Sequence, residues 1–516
     1  LYPDRSDLYF TAVRSSTSYA SGLILLSGMA VSAWAVFQIV RTRFGRRTRI
    51  IAIYASVPLI LVTPLDFLRR SLDLTVSRIE AALIDETLVA AVVIALVLAA
   101  AVGVAVVAVR SSAVTIKLIQ AVLIVLAPLA VWNLVQLSWY AVSPDAVKAA
   151  DGPSANVEAV SRPAAGTAAR PGGARARVVW LLIDELDYRL LFEARPQGLE
   201  LPALDRLRGN AFFATQAQQV GGNTLEAIPK LLTGIRMEQA KAAGQTLLLV
   251  KPEDADEFKD IRAFDHIFRA LAARRMRMAA VGFYHPYCRL FRAQLRWCQD
   301  NFFATVEYAR ATSLSQALAD QARSITPLFR RQNFIEILER STAAAKALAA
   351  DRELDFVFLH VAHSHDPAVF DAETRTFSSW RHIAKTVQQG PARYFDGAVL
   401  ADLFVAELIE TMEAAGSWSS TTLILTTDHP WRSSPRYDGE KDRRVPFIVK
   451  FAGKRRGLEF SQPFDSIITK ALVLALLDGE IDGAQDLAGW IRRYDPAANS
   501  SQQAMQGVPA SGEQTR

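Results

Sequence analysis

Two stretches of the sequence place acidic residues directly after a run of apolar residues. The run VVWLLI is followed by Asp184 and Glu185, and the run TLILTT is followed by Asp428 and His429. Carboxylates at the carboxyl ends of buried strands are common metal ligands, and an Asp-His pair supplies an oxygen and a nitrogen donor suited to zinc. Either pair alone could be a helix cap or a surface ion pair. Two such pairs in one sheet favour a metal site.

A hydroxyl residue lies between these pairs, in the segment GGNTLEAIPKLLTG at 221–234. Gly221 and Gly222 permit a tight turn, after which Thr224 stands where a helix would begin. At that position the hydroxyl can reach an anion held by backbone N–H groups and the helix dipole. The alternative is that Thr224 only caps the helix. The nearby acidic pairs favour a chemical role.

The elements that must position these residues alternate between strands and helices. Strands are predicted at 178–183, 278–283, 355–361, 422–427 and, as an edge or late strand, 446–450; helices are predicted at 202–209, 226–233, 256–274 and 394–415. This alternation predicts an α/β sandwich with a mostly parallel central sheet. In such sheets the active residues lie in loops at the carboxyl ends of the strands.

The order of the motifs resembles the sulfatase and alkaline phosphatase superfamily. The motifs are a strand followed by Asp-Glu, then Asn-Thr…Pro…Leu-Leu-Thr-Gly, then Ser-His-x-Pro, then Thr-Thr-Asp-His. The resemblance extends from about residue 177 to 480, with supporting stretches at 201–217 and 394–429. With apolar segments at its amino end, the chain most resembles the branch of lipoteichoic acid synthases and phosphoethanolamine transferases.

The resemblance implies that four residues surround one divalent metal, namely Asp184, Thr224, Asp428 and His429. Zinc fits these ligands best, and manganese fits nearly as well. Because a metal beside a hydroxyl makes it a usable nucleophile, Thr224 is predicted to attack phosphorus and form a covalent phospho-enzyme. His365, in the segment SHDP, is predicted to contact the phosphoryl group or protonate the leaving oxygen. A loop histidine without catalytic role is the alternative.

Further residues are predicted to bind the substrate: Asn223, Glu185, His363, Arg443 and Arg444. Strand alternation places at most one of His360 and His363 near the site. The two arginines lie where the superfamily often has a histidine, so a second metal is in doubt. They could hold a phosphate or an anionic lipid headgroup bidentately, or they could be ordinary solvated charges.

The nucleophile separates this chain from the usual sulfatases. Those enzymes carry Cys or Ser followed by x-Pro-x-Arg, which is oxidised to formylglycine. Here the matching segment begins at Thr224 and reads TLEAI. Threonine cannot become that aldehyde, and neither the proline nor the arginine is in place. Sulfate-ester hydrolysis by the usual route is therefore not expected.

The first 142 residues have a different composition, dominated by Leu, Val, Ala and Ile. Four stretches approach or exceed the roughly 20 apolar residues that a membrane-crossing helix needs, at 17–40, 50–68, 87–109 and 118–142. Loop 41–49 carries five Arg and no acid, which places it in the cytoplasm by the positive-inside rule. These features predict a transmembrane bundle at 1–142 in the bacterial inner membrane, with an extracytoplasmic (periplasmic) catalytic domain. Since Leu1 is not Met, a further segment upstream is expected, with a processed terminus as the alternative.

The remaining chain is divided by composition into three parts. An Ala-, Pro-, Gly- and Ser-rich linker is predicted at 143–176, the catalytic domain at 177–491, and a disordered tail at 492–516. The two cysteines, Cys288 and Cys298, would form a disulfide in an oxidising compartment. A pair of reduced, buried thiols is the alternative.

The predicted function joins these features. The net charge of +6 is explained by Arg clusters beside the apolar segments, so nucleic acid is not an expected partner. We expect transfer of a phosphoethanolamine- or phosphoglycerol-type headgroup from a membrane phospholipid to an envelope glycan or lipid, through a phospho-threonine. A phosphodiesterase or phosphatase, and a non-catalytic protein of envelope assembly, are the alternatives. The presence of all four predicted metal ligands argues against the last of these.

Overall fold

The structure is a computed structural model, in which the chain divides into two compact units. It describes residues 16–43, 45, 135, 138–139, 142, 176–243, 246–302, 313–324, 327–377, 390–454 and 456–494. One unit comprises residues 16–144, and the other comprises 1–15 with 145–516. Several predicted segments lie outside the described residues. They are the spans at 50–68 and 87–109, nearly all of the span at 118–142 and of the linker at 143–176, and the tail beyond Tyr494.

The described part of the smaller unit is essentially one helix, α1 (Ser16–Arg43), which coincides with the first predicted span. A helix needs about 20 consecutive apolar residues to cross the hydrocarbon core of a bilayer. Among the described residues, no helix combines the length and apolar character needed to do so. This finding contradicts the predicted multi-pass location in the inner membrane with an extracytoplasmic catalytic domain.

The larger unit is built on a central sheet of eight strands. The strands of this unit, in chain order, are β1 (Arg177–Ile183), β2 (Phe212–Ala214), β3 (Ala217–Gln218), β4 (Met237–Ala243), β5 (Leu247–Pro252), β6 (Lys259–Asp260), β7 (Met278–Phe283), β8 (Trp297–Asn301), β9 (Phe356–Val361), β10 (Phe370–Asp371), β11 (Thr376–Phe377), β12 (Thr421–Thr426), β13 (Phe447–Lys450), β14 (Leu458–Phe460) and β15 (Phe464–Asp465). The sheet order is β14-β2-β13-β12-β1-β9-β7-β8. From β12 to β8 every neighbouring pair is parallel, whereas β13 is antiparallel to both its neighbours. The predicted α/β fold with a mostly parallel sheet is confirmed.

Helices cover both faces of this sheet. They are α2 (Tyr188–Phe192), α3 (Pro202–Asn210), α4 (Thr224–Thr233), α5 (Ile267–Ala273), α6 (Tyr287–Phe291), α7 (Leu314–Ser324), α8 (Pro327–Ala350), α9 (Tyr394–Ala414), α10 (Pro435–Asp438), α11 (Thr469–Asp478) and α12 (Ala484–Arg493). Side chains of a strand alternate between the two faces. Trp180 of β1 accordingly packs in one core with α4, α5, α6, α11 and α12. Its neighbour Leu181 packs in the other core with α2, α3, α8 and α9.

Two predicted elements differ from the structure. The strand predicted at 446–450 as an edge or late strand is a late strand, and it is not at an edge, because β13 lies between β2 and β12 and pairs with both. The helix predicted at 256–274 is only α5, which starts at Ile267. The preceding residues form β6, which pairs with β5, and His266 then caps the helix by accepting a hydrogen bond from the backbone N–H of Arg269.

The strand register brings the predicted site residues to one edge of the sheet. Leu182 of β1 is paired with Thr426 of β12 on one side and with His360 of β9 on the other. Asp184 and Asp428 each lie two residues beyond the paired positions of their own chains. They therefore emerge side by side at the carboxyl ends of parallel strands, next to His360.

Candidate metal centre and nucleophile

Three side chains meet at the carboxyl ends of the central strands. Asp184 follows β1, His360 belongs to β9 and Asp428 follows β12, and each is fully buried. Their ligand atoms all lie within 4.8 Å of one another. The cluster thus combines two carboxylates and one imidazole in a space that a single ion can bridge.

Whether a metal fits this cluster can be judged from the hydrogen bonds of its polar atoms. Among the described residues, Asp184 Oδ1, His360 Nε2 and Asp428 Oδ2 have no hydrogen-bond partner. Burying a carboxylate without a compensating partner costs several kcal/mol, on the order of what a bound cation returns. Two oxygens and one imidazole nitrogen are a donor set suited to zinc or manganese. The residues present therefore fit a divalent metal.

His429 completes the predicted ligand set. Its Nε2 atom lies 3.3 Å from Asp428 Oδ2 and 3.8 Å from Asp184 Oδ1, and its Nδ1 atom lies 2.9 Å from the carbonyl oxygen of Pro430. Burial lowers the pKa of His429, but Asp428 and Asp184 raise it by more, so the pKa lies above its ordinary value. The two carboxylates therefore favour a positive charge at this end of the sheet.

Thr224 is the first residue of α4, and its hydroxyl faces the cluster. The Oγ1 atom lies 3.4 Å from both Asp184 Oδ2 and His429 Nε2. The helix is capped by Asn223, whose Oδ1 accepts a hydrogen bond of 3.0 Å from the N–H of Glu226. Because Asn223 serves as the cap, the Thr224 hydroxyl is available for chemistry. The structure thus brings the four predicted ligands together.

The turn before α4 depends on a glycine at one position. A Cβ atom at Gly221 would lie 2.8 Å from the backbone nitrogen of Ala227, inside van der Waals contact. The turn therefore packs directly on the first turn of the helix, which fixes the position of Thr224. The Oδ1 atom of Asn223, predicted to bind substrate, is engaged in capping.

Glu185 is placed beside the cluster in a strained conformation. Its φ of 60° lies in the left-handed region, which a non-glycine residue adopts at a cost of about 1–3 kcal/mol. The Tyr394 hydroxyl donates to the Glu185 carbonyl at 3.0 Å, and the Ser364 hydroxyl donates to the Asp184 carbonyl at 2.6 Å. The buried Glu185 carboxylate accepts a hydrogen bond of 2.7 Å from Arg432 Nε. Glu185 thus holds an arginine near the metal ligands.

His365 lies at the same end of the sheet, half-buried against Phe283. Burial lowers its pKa, but the carboxylates of Glu185 and Asp184 raise it by more, so the pKa is above its ordinary value. The ring therefore holds a proton more readily than a free imidazole does. This property suits a residue that protonates a leaving oxygen.

Three residues predicted to bind substrate have other surroundings. His363 stacks on Phe404 at 4.1 Å, and its Nε2 lies 2.8 Å from the hydroxyl oxygen of Thr342, so it packs between α8 and α9. Arg444 is bound by the carboxylates of Glu193 and Asp442. Arg443 is exposed, and its backbone carbonyl accepts from Gln219. None of these contacts is made with Asp184, His360 or Asp428.

Two residues of the site were not predicted from the sequence. His360 shares a strand face with Phe356 and Phe358, and a histidine near the end of such an apolar face was its only signal. Arg432 follows Asp-His-Pro-Trp, and this local sequence gives no sign of its buried partner Glu185. Both depend on long-range packing.

The two cysteines are joined by a disulfide, the first of the two alternatives, which ties α6 to β8. The residue before Cys288 is Tyr287, whose hydroxyl oxygen lies 2.7 Å from His360 Nδ1. The disulfide thus lies next to a residue that contacts the metal cluster.

Comparison with known proteins identifies the class. The family model described as Sulfatase matches residues 177–469, more than half of the chain. The chain therefore belongs to the sulfatase family, within the alkaline phosphatase superfamily. It is accordingly an enzyme of the sulfatase family. Members of the superfamily use a divalent metal, and the Asp184, His360 and Asp428 cluster fits one.

Several solved structures are similar in fold. Ps i-CgsB shares 14% identity and a TM-score of 0.42, over 62% of this chain and 77% of its own. The lipoteichoic acid synthase LtaP from Listeria monocytogenes shares 15% identity and a TM-score of 0.39, over 59% of this chain and 72% of its own. The phosphonate monoester hydrolase of Agrobacterium radiobacter shares 11% identity and a TM-score of 0.38, over 59% and 74%. At these TM-scores the similarities establish no function for this chain. No curated protein matches the sequence.

Proposed function

We propose that this chain is a metal-dependent phosphotransferase that uses Thr224 as a covalent nucleophile. The observation that carries the proposal is the position of the Thr224 hydroxyl, 3.4 Å from both Asp184 and His429. It lies beside carboxylate oxygens that have no hydrogen-bond partner in the described part of the chain. Asp184, Asp428, His429 and Thr224, with His360, would hold one divalent metal, zinc or manganese. When bound, the metal supplies charge stabilisation for the Thr224 oxygen and for the phosphoryl oxygens.

The chain's own residues account for the remaining steps. The Thr224 hydroxyl loses its proton to solvent, and Oγ1 attacks phosphorus to form a phospho-threonine. The bond from phosphorus to the donor's diacylglycerol oxygen breaks, and that oxygen takes a proton from His365. An acceptor hydroxyl or amine then attacks the phospho-threonine and gives its proton to His365. The bond from phosphorus to Oγ1 breaks, and Oγ1 takes a proton back from solvent. The raised pKa of His365 suits both the donation and the return of the proton.

Arg432 supports an anionic substrate. Its guanidinium is anchored through Nε to the Glu185 carboxylate, and its side chain is 55% exposed. Because a guanidinium presents several donors in a fixed plane, the part not used by Glu185 can bind a phosphoryl oxygen. Arg432 takes the role that the sequence had suggested for Arg443 and Arg444.

The proposed donor and acceptor extend the resemblance to the lipoteichoic acid synthase and phosphoethanolamine transferase branch. The donor is a phospholipid with a phosphoethanolamine or phosphoglycerol headgroup, and the acceptor is an envelope glycan or lipid. Thr224 supports phosphoryl rather than sulfuryl chemistry, since threonine cannot be oxidised to formylglycine.

The test is to trap the covalent intermediate. The full chain, loaded with zinc or manganese, is mixed with phosphatidylethanolamine or phosphatidylglycerol in detergent, quenched in acid, and its peptides are analysed by mass spectrometry. We expect the headgroup phosphate on Thr224. The adduct should be absent in Thr224→Ala and unchanged in Thr411→Ala, which alters a partly exposed threonine of α9. Headgroup release by the wild type without any adduct, or with the adduct on another residue, would refute the proposed mechanism.

Transfer of the headgroup to an acceptor is measured in the same reaction. Headgroup transfer to an added glycan or lipid supports the transferase. Release of the free headgroup phosphate alone, at a rate unaffected by every acceptor tried, would identify a phosphodiesterase.

A further inference from the structure

The contact between Tyr287 and His360 lies behind the metal cluster. Both side chains are fully buried, and Tyr287 Oη lies 2.7 Å from His360 Nδ1. The other ring nitrogen of His360, Nε2, lies 3.8 Å from Asp184 Oδ2 and has no hydrogen-bond partner among the described residues. One nitrogen of the ring therefore faces a phenol, and the other faces the carboxylates.

We infer that Tyr287 is a positioning residue for the metal, acting through His360. An imidazole nitrogen can bind a metal only through a lone pair, so Nε2 must be unprotonated and Nδ1 must carry the ring proton. The Nδ1–H group then donates to Tyr287 Oη, which fixes both the tautomer and the ring orientation. This inference rests on the proposed metal-dependent function and names a residue, outside the predicted ligand set, on which the metal affinity depends.

The fold holds Tyr287 in place from three directions. A Cβ atom at Gly282 of β7 would overlap the Tyr287 ring, so the glycine makes room for it. The backbone N–H of the next residue, Cys288, donates to the Asp300 carboxylate at 3.1 Å, and the Cys288 side chain is bonded to Cys298 of β8. Gly282, the Asp300 carboxylate and the disulfide together fix the phenol oxygen in its position next to His360.

Packing alone does not require the hydroxyl. The Tyr287 ring lies 5.2 Å from that of Phe358 and 6.5 Å from that of Phe291, contacts that a phenylalanine ring would make equally well. A buried hydroxyl in an apolar core is costly unless it is hydrogen-bonded. The contact with His360 supplies a hydrogen-bond partner for the Tyr287 oxygen.

The test is a zinc titration of the full chain after removal of metal by a chelator. Four proteins are compared by calorimetry: wild type, Tyr287→Phe, His360→Gln and the double variant. Tyr287→Phe keeps the ring and removes the oxygen, so we expect zinc to bind about 10–100-fold more weakly. In the His360→Gln background the same substitution should have no further effect, because its target is gone. Tyr188→Phe, which removes the oxygen of a buried tyrosine that packs in the core on the other face of the sheet, serves as the matched control and should match wild type.

The outcomes separate this inference from the proposed function. If wild type binds zinc and Tyr287→Phe binds it within twofold of wild type, the inference fails and the proposed function stands. If Tyr287→Phe weakens zinc binding equally in both backgrounds, its effect is general packing and the inference also fails. If folded wild type binds no zinc or manganese, both fail together. Weakened binding only when His360 is present supports the inference.

Discussion

The two ends of the central strands bury charged groups in opposite ways. At the amino ends, the buried Arg177 guanidinium donates to the Thr421 hydroxyl and to four backbone carbonyls, those of Leu348, Ala349, Asp351 and Leu354. At the carboxyl ends, Asp184, His360 and Asp428 each present a buried polar atom without a partner among the described residues. A buried charge whose hydrogen bonds are complete stabilises the fold, whereas buried ligand atoms left open are available to bind an ion.

Along the same strands, buried charges with complete hydrogen bonds lie at the amino ends, and the candidate ligands lie at the carboxyl ends. Lys450, at the amino-end side of β12, also donates to two carbonyls, those of Trp418 and Thr421. Glu185, at the carboxyl ends, has a left-handed backbone conformation that costs free energy. Substitutions at the two ends should consequently change different measured quantities.

The largest effect is expected at the carboxyl ends, from Asp428→Ala. Removing this carboxylate should abolish metal binding and lower phosphodiester turnover by about 10³-fold or more, since the metal contributes several kcal/mol to the transition state. The unfolding free energy without metal should not fall, because the variant relieves repulsion between buried acids. Metal analysis by plasma emission, turnover of a chromogenic diester and urea unfolding test the three statements. Full metal content in the variant would contradict the assignment of Asp428.

The opposite result is expected at the amino ends, from Arg177→Met. Five acceptors would lose their donor, so the free energy of unfolding should fall by about 3–5 kcal/mol. Metal content and turnover per folded molecule should remain those of wild type. Arg206→Met, which removes only an exposed ion pair with Glu413, should cost less than about 1 kcal/mol. Loss of metal from folded Arg177→Met would show that the two ends are not independent.

A buried histidine that is not part of the metal cluster should make stability depend on pH. His266 is almost fully buried, and burial, followed by the charge of Arg269, lowers its pKa to about 4; Lys470 acts in the same direction, and Asp265 and Asp260 oppose it. The unfolded chain therefore binds a proton near its ordinary pKa of 6.5, before the folded chain does. The stability contributed by neutral His266 is complete above pH 6.5 and is lost as the pH falls towards 4.

The loss corresponds to about 3 kcal/mol across that interval. Asn also caps helices but does not titrate there, so His266→Asn should flatten this part of the curve. Urea unfolding of both proteins between pH 4 and pH 7 measures the difference. Parallel curves for the two proteins would assign the acid sensitivity to other groups.

The comparison also explains what could be predicted from the sequence. Asp184 and Asp428 follow apolar runs that form adjacent strands, so local pattern was enough to place them together. The order of motifs indicated the family, which is confirmed, and it pointed to Thr224 as the proposed nucleophile. The His360 ligand could not be assigned, because strand alternation alone does not reveal which face of β9 carries the cluster. His363 was chosen instead, and it packs on the opposite face with Phe404.

The remaining differences arise from contacts between distant parts of the chain. Arg444 is close in sequence to the site strands, but Glu193, 251 residues away, engages its guanidinium. Arg432 depends likewise on Glu185, 247 residues earlier. The sequence shows only that each arginine is charged. Which of them is available to bind an anionic substrate depends on its partners in the tertiary fold.

The smallest expected effect concerns this choice of arginine. Arg432→Met should raise the KM for an anionic diester about 10–100-fold, the worth of one or two charge-assisted hydrogen bonds, while metal content remains unchanged. Arg444→Met should leave the KM close to that of wild type, because its guanidinium is bound by Glu193 and Asp442, and should lower stability instead. Steady-state kinetics with a chromogenic diester, read beside urea unfolding, compare the two variants. An increase in KM for Arg444→Met and none for Arg432→Met would reverse the assignment and restore the role that the sequence suggested.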